Sequence, residues 1–177
     1  GDTPKACYET TIATINKAMA WFEEQTRGKP VFGGAAVKSL EPAQRRALAA
    51  QLMPVIRGLI SQDSHKVGHF DDSQAVLDFV NSNELRPLAA LGTSCPDHFL
   101  RTKIRPLVVE FDPAKPDVEA LLAGLPAAVE AYRDGYKAYY ERCKRDNSPA
   151  MRDPNAVVYL VPGVGMLTFA ADKATAR

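Results

Sequence analysis

Apolar residues recur along the first stretch of the chain at helical steps. Ala6, Ile12, Ile15, Ala18, Met19 and Phe22 recur with three- and four-residue steps among them and Trp21 thickens their face, which predicts a helix over 4–26. Asp2 or Thr3 would cap it, and Pro4 suits its first turn. Gly28, Pro30 and the Gly33-Gly34 pair break the pattern and make a connector. A second helical period starts near Glu41-Pro42 and runs through Arg45, Leu48 and Leu52 to Ile60; Pro54 within it predicts a kink or two abutting helices. Residues 61–72 are polar and read as turn. Asp72 or Ser73 then caps a short helix, Gln74 to Val80, with Val76, Phe79 and Val80 facing inward.

The pattern changes at Leu85. Leu88-Ala89-Ala90-Leu91-Gly92 reads as a short apolar strand, followed by a polar elbow from Thr93 to His98. Leu107 to Phe111 is strand-like in its β-branched content, bounded by Pro106 and Pro113. Asp117 caps a long helix to about Lys144, with Pro126 the one objection to its continuity. Ala156–Val161 and Met166–Phe169 read as strands joined by a tight turn, Pro162 to Gly165. Strands separated by helix predict an α/β fold: an open sheet of about three to four strands with packed helices, preceded by a helical arm. The expected division is a helical arm over 1–84 and an α/β portion over 85–177.

Charge and cysteine count narrow the class. Lys and Arg number 22 against 21 Asp and Glu, so the net charge of +1 lacks the excess that nucleic-acid or membrane-surface binding requires. No run of about 18 apolar residues is present to span a membrane. Cys7, Cys95 and Cys143 are odd in number and far apart, which makes neither a disulfide framework nor a metal knuckle. No leader pattern opens these residues, and a cytoplasmic location is the expectation. The immediate cap before Pro4 and the short helix signal after Asp172, only Lys173 to Arg177, predict a piece of a longer polypeptide.

Chemistry-bearing residues concentrate at 92–103. Thr93, Ser94, Asp97, His98, Arg101 and Lys103 are the candidate anion-binding set, because a helix beginning at Pro96 would offer free N–H groups, with Thr93 or Ser94 as cap and two nearby cations. The plain alternative is a capped helix with a solvated face. Adjacent Asp97 and His98 would point about 100° apart on a helix and make a poor orienting pair. Cys95 is a candidate nucleophile only if the helix start and Arg101 stabilise its thiolate. His65 and His69 stand four apart, but Gly68 spoils a helix there, so no metal ligand is assigned. Gly163 and Gly165 fail the dinucleotide frame, whose third glycine position is Thr168. Tyr132, Tyr136, Tyr139 and Tyr140 at helical steps read as core edge.

Three stretches carry a resemblance: Leu91 to Leu107; Tyr139 to Lys144 with Ser148 to Pro154; and Val161 to Met166 continuing through Asp172 to Arg177. They resemble the middle region of the bifunctional rhamnulose-1-phosphate aldolase/short-chain dehydrogenase family, whose aldolase part is class II, adducin-like. The opening Gly1-Asp2-Thr3 and Tyr8-Glu9 resemble the stretch just after the last metal-binding His of a class II aldolase. Pro162 to Phe169 echoes the aldolase segment that carries a His, with Pro162 in its place. The resemblance implies a lyase and an oxidoreductase of carbohydrate metabolism in the parent, which would use a divalent metal, usually zinc, and NAD, with neither cofactor held by this chain. It implies flanking aldolase and dehydrogenase domains as partners, a homo-oligomer, and a sugar phosphate as ligand. Three readings follow: a fragment that is not catalytic alone and binds an anion at 93–103; a structural, interdomain and oligomerisation module; or an active site using Cys95, Asp97 or His98.

Overall fold

A computed structural model describes residues 1–62 and 64–177; Asp63, in the segment read as turn, lies outside the described residues. Among the described residues seven α-helices and four strands follow in the order α1 (Pro4–Thr26), α2 (Pro42–Ile60), β1 (Val67–Asp71), α3 (Gln74–Val80), α4 (Leu85–Leu91), α5 (Pro96–Thr102), β2 (Leu107–Val108), α6 (Val118–Cys143), β3 (Val158–Val161), β4 (Gly165–Ala170) and α7 (Lys173–Ala176). The fold is α/β, with one open sheet ordered β1-β4-β3-β2. β1 and β3 flank β4 antiparallel, while β2 pairs parallel to β3, Leu107 opposite Tyr159. α6 is the crossover between the two parallel strands, as such a pair requires.

The alternation along β3 and β4 sorts the core into two layers. Tyr159, Val161, Leu167 and Phe169 point to one face, against Leu48, Leu52, Ile56 and Ile60 of α2 and Leu121, Leu125 and Val129 of α6. Val158, Leu160 and Met166 point to the other, against Leu77 and Val80 of α3 and Leu85 and Ala89 of α4. A strand buried on both faces is expected where helices cover both sides of a sheet. Polar staples fix the layers. Arg133 of α6 donates to Asn155 Oδ1 at 2.7 Å and to the Leu59 carbonyl at 2.6 Å, joining α6 to the end of α2. Asn81 donates to Ser39 Oγ and accepts from the Gly163 N–H, both at 2.7 Å, pinning the 35–40 connector beside the β3–β4 turn.

Caps and bounds follow the sequence in several places. Thr3, Asp117 and Asp172 each accept a backbone N–H at the start of their helices, and Pro162–Gly165 turns β3 into β4. Glu41 and Gln44 add a reciprocal capping box to α2. Pro54 and Pro126 both sit inside uninterrupted helices.

Three local expectations are corrected. The 88–92 run is the second half of helix α4, because Leu85-Arg86-Pro87-Leu88-Ala89-Ala90-Leu91 is rich in good helix formers and ends at Gly92, φ +80°. Val67–Asp71, within the stretch read as turn, is strand β1, made so by its pairing with β4. That places a strand of the sheet before residue 84. Neither Thr93 nor Ser94 caps α5; Cys95 occupies the cap position in extended backbone, without a side-chain bond. The arm that stands clear of the core is α1, none of whose residues is buried. Among the described residues no helix is long and apolar enough to cross a membrane.

Candidate functional site

The loop that carries α5 is closed at its neck. Gly92 adopts φ +80°, where an added Cβ would overlap the Ile104 carbonyl oxygen, and the Thr93 N–H donates to that same oxygen at 3.3 Å. α5 is therefore a helix held out between two adjacent chain ends. It leaves through Lys103, at φ +67° and ψ −174°, a region that a residue with a side chain rarely occupies.

A cleft of about 390 Å³ opens between α5, the last turns of α6 and the segment 148–152. Phe99, Leu100 and Lys103 form one wall. Tyr136, Tyr139, Tyr140, Cys143 and Lys144 form the second, and Ser148 to Arg152 the third. The Tyr140 hydroxyl donates to the Pro149 carbonyl at 2.6 Å, tying the last two walls together. Phe99 meets Tyr139 edge-on at 6.2 Å, and Arg142 lies 5.8 Å from the Tyr139 ring centre. Lys103, Lys144 and Arg152 stand among the described lining residues and no carboxylate does.

Beside the cleft a partly buried polar network positions Lys103. Its ammonium donates to the Asp153 carbonyl and sits 4.8 Å from the centre of the Tyr136 ring. Asp153 pairs with Lys66 at 2.8 Å and accepts from Asn155 through N and Nδ2, at 2.8 and 2.7 Å. Burial pulls the Lys103 ammonium below the usual lysine range; Asp153 opposes this and Lys66 and Arg152 reinforce it. Burial alone would push the Asp153 carboxyl up, but bonds from Lys66 and Asn155 hold it below the ordinary value. Burial raises the Tyr136 phenol, helped by Tyr139. Three cations around one carboxylate leave a positive surplus beside an apolar cleft, an arrangement suited to an anionic group on a less polar body.

Of the residues singled out from sequence, Lys103 lines this cleft. Thr93 is half-buried in the loop neck; Ser94, Asp97, His98 and Arg101 are exposed on the loop and on α5. Cys95 is half-buried with a free thiol. His65 is exposed before β1, and His69 lies on β1 opposite Thr168 with Nδ1 3.3 Å from Lys173 Nζ, so the two share no helix face. Among the described residues no group of three or more His, Cys, Asp and Glu is placed to hold a metal. The residues that sequence reasoning missed are Tyr136, Tyr139, Tyr140, Lys144, Met151, Arg152 and the half-buried Lys66–Asp153 pair. Their one signal was tyrosines recurring on a single face of α6.

Residues 47–177 match the family described as aldolase class II, second domain. A relative named "Uncharacterized oxidoreductase YuxG", from Bacillus subtilis (strain 168), is 34% identical over 167 residues, which cover 94% of this chain and 24% of the relative. The chain thus spans about a quarter of the length of that curated relative. No solved structure matches. With its matched region running from within α2 through the whole sheet and the cleft, the chain belongs to the class II aldolase second-domain family.

Proposed function

We propose that these residues are the second-domain portion of a larger cytoplasmic polypeptide that joins a class II, rhamnulose-1-phosphate-type aldolase to a short-chain dehydrogenase. In this reading the chain binds the phosphate of a sugar phosphate at Lys103 and Arg152 and carries out no bond-breaking step by itself. The supporting observation is the carboxylate-free, cation-bearing mouth of the cleft in a chain of this family. A relative named as an oxidoreductase and about four times as long supports the fusion.

The zinc and NAD of such a parent do not fit the described residues. No metal-holding group is assembled among them, and Gly163-Val164-Gly165 turns strand into strand where a nucleotide-binding turn would lead into a helix. Both cofactors would belong to the flanking domains, and no step is assigned to them here.

Calorimetric titration of a ketose 1-phosphate, and of inorganic phosphate, into the chain tests the reading. Binding should fall at least tenfold in Lys103→Met and in Arg152→Ala, and little in Arg101→Ala. Unchanged affinity in the first two would overturn the cleft. Loss in Arg101→Ala alone would move the site to the outer face of α5. Cleavage of the sugar phosphate by the chain with added zinc would overturn the non-catalytic assignment.

A further inference from the structure

The lining of the cleft between α5 and α6 is of two kinds. Lys103 and Arg152 supply charge, and Lys103 is held in place by its bond to the Asp153 carbonyl. Lys144, the third cation, is already paired with Glu141 at 2.6 Å. Beyond them the surface is ring: Phe99, Tyr136, Tyr139 and Tyr140. These rings are set by the protein itself. The Tyr140 hydroxyl is bonded to the Pro149 carbonyl, and Tyr139 meets Phe99 edge-on and Tyr136 at a tilt of 45°, both at 6.2 Å. Among the described lining residues there is no Asp, Glu, Asn or Gln to bind a series of hydroxyls or to read the edge of a base. A surface of this kind takes a flat π-system and tolerates variation in its substituents.

Spacing and size narrow the ligand. The Lys103 ammonium stands 4.8 Å from the Tyr136 ring centre, and Tyr136 separates it from Tyr139. A phosphate at Lys103 and a planar group on Tyr139 therefore lie about one ring apart, which a ribose bridges. The cleft, about 390 Å³, is near the small end of the ~300–1,000 Å³ of small-molecule sites and suits one nucleotide, not two. We propose that a nucleoside 5′-monophosphate is a second ligand of this cleft, with its base against Tyr139 and its phosphate at Lys103 and Arg152, where it excludes the sugar phosphate. This rests on the reading of Lys103 and Arg152 as a phosphate site and adds a competing ligand to it. A single nucleotide asks for none of the charge excess that nucleic acid requires, so the net charge of +1 is no obstacle.

Calorimetric titration of AMP, ribose 5-phosphate and inorganic phosphate into the chain tests it. Stacking of the base should make AMP bind about tenfold tighter than ribose 5-phosphate. A ketose 1-phosphate should displace AMP, and Lys103→Met should weaken both. Tyr139→Leu should bring the ratio of AMP to ribose 5-phosphate affinity down to about one, and Tyr139→Phe should keep it. The ratio in the native chain stands as a test even where a variant fails to fold. Equal affinity for AMP and ribose 5-phosphate overturns this inference and leaves the phosphate site standing. A ratio that survives Tyr139→Leu, or AMP binding indifferent to Lys103→Met, overturns the placement of the nucleotide. AMP binding without ketose 1-phosphate binding overturns the sugar-phosphate reading instead. No binding of any of these phosphates overturns both.

Discussion

The Lys103 ammonium lies 4.8 Å from the centre of the Tyr136 ring, so the last residue of the α5 loop and the wall of α6 hold each other across the cleft floor. A cation over an aromatic face stabilises by about 0.5–1 kcal/mol when exposed, more when desolvated. Here it offsets part of the strain of a lysine at φ +67°.

Lys103→Gly and Lys103→Ala separate the two contributions. Both lose the ammonium, but only glycine is at ease at this backbone position, so the glycine variant should be the more stable by about 1–2 kcal/mol. Urea unfolding of the pair checks this; equal midpoints would show that the backbone stores no strain.

Acid and alkali should act on this network with opposite signs. Asp153 is held below the ordinary carboxylate value, so its contribution is present above about pH 4 and is lost as pH falls through its lowered pKa. The stability gap between the native chain and Asp153→Asn should therefore shrink below pH 4. Lys103 is pulled down by burial, so the cost of its charge is full below its folded pKa and disappears as pH rises toward 10.5. Native stability relative to Lys103→Met should rise over that alkaline window. A gap independent of pH on either side would contradict the corresponding assignment.

Tyr159 is fully buried and its hydroxyl has no partner among the described residues. An unpaired buried hydroxyl forfeits its bonds to water, so Tyr159→Phe should leave stability unchanged or raise it by about 1 kcal/mol. Thermal unfolding reads the sign, and a drop of 1 kcal/mol or more would mean that the hydroxyl is bonded in solution.

Arg133 makes three separate polar links, to Glu130, Asn155 and Leu59. Lysine cannot reproduce that fork, so Arg133→Lys should destabilise by about 2 kcal/mol and Arg133→Met by more. Denaturant midpoints that rank the two the other way would refute the role.

Gly92→Ala should be the most damaging of these changes, about 3 kcal/mol or more, because the new Cβ meets a backbone oxygen at the loop neck and φ is positive. Proteolysis should then cut selectively between 92 and 104 if the loop opens before the core.

What the sequence disclosed tracks how local each element's cause is. Thr3, Asp117 and Asp172 announce their helices because a cap and the turn it begins are neighbours in sequence. β3 and β4 are legible because a β-branched run, a glycine turn and a second run make a self-contained hairpin. β1 is not legible: Val67-Gly68-His69-Phe70-Asp71 has little strand character, and β4, a hundred residues away, imposes its conformation. Gly68 there reads as turn, yet it admits Met53 and Phe169, whose Cε1 would come within 2.9 Å of a Cβ. α4 misled because a short apolar run suits helix and strand alike. The cleft stayed hidden for the same reason as β1. Lys103 was visible as a cation, but Tyr136 and Arg152, which give it a setting, arrive from separate parts of the chain.

The position of β1 also orders events during synthesis. Val67–Asp71 emerges from the ribosome about a hundred residues before its partner strand, and Leu52 and Ile56 of α2 must wait with it for the Leu167 and Phe169 that cover them. For most of its elongation the nascent chain is a string of helices with an open apolar side, and the β3–β4 hairpin closes it from the far end. Release of residues 158–170 is thus the step that turns a vulnerable chain into a folded one, and ribosomes stalled before that point should display a protease-sensitive product.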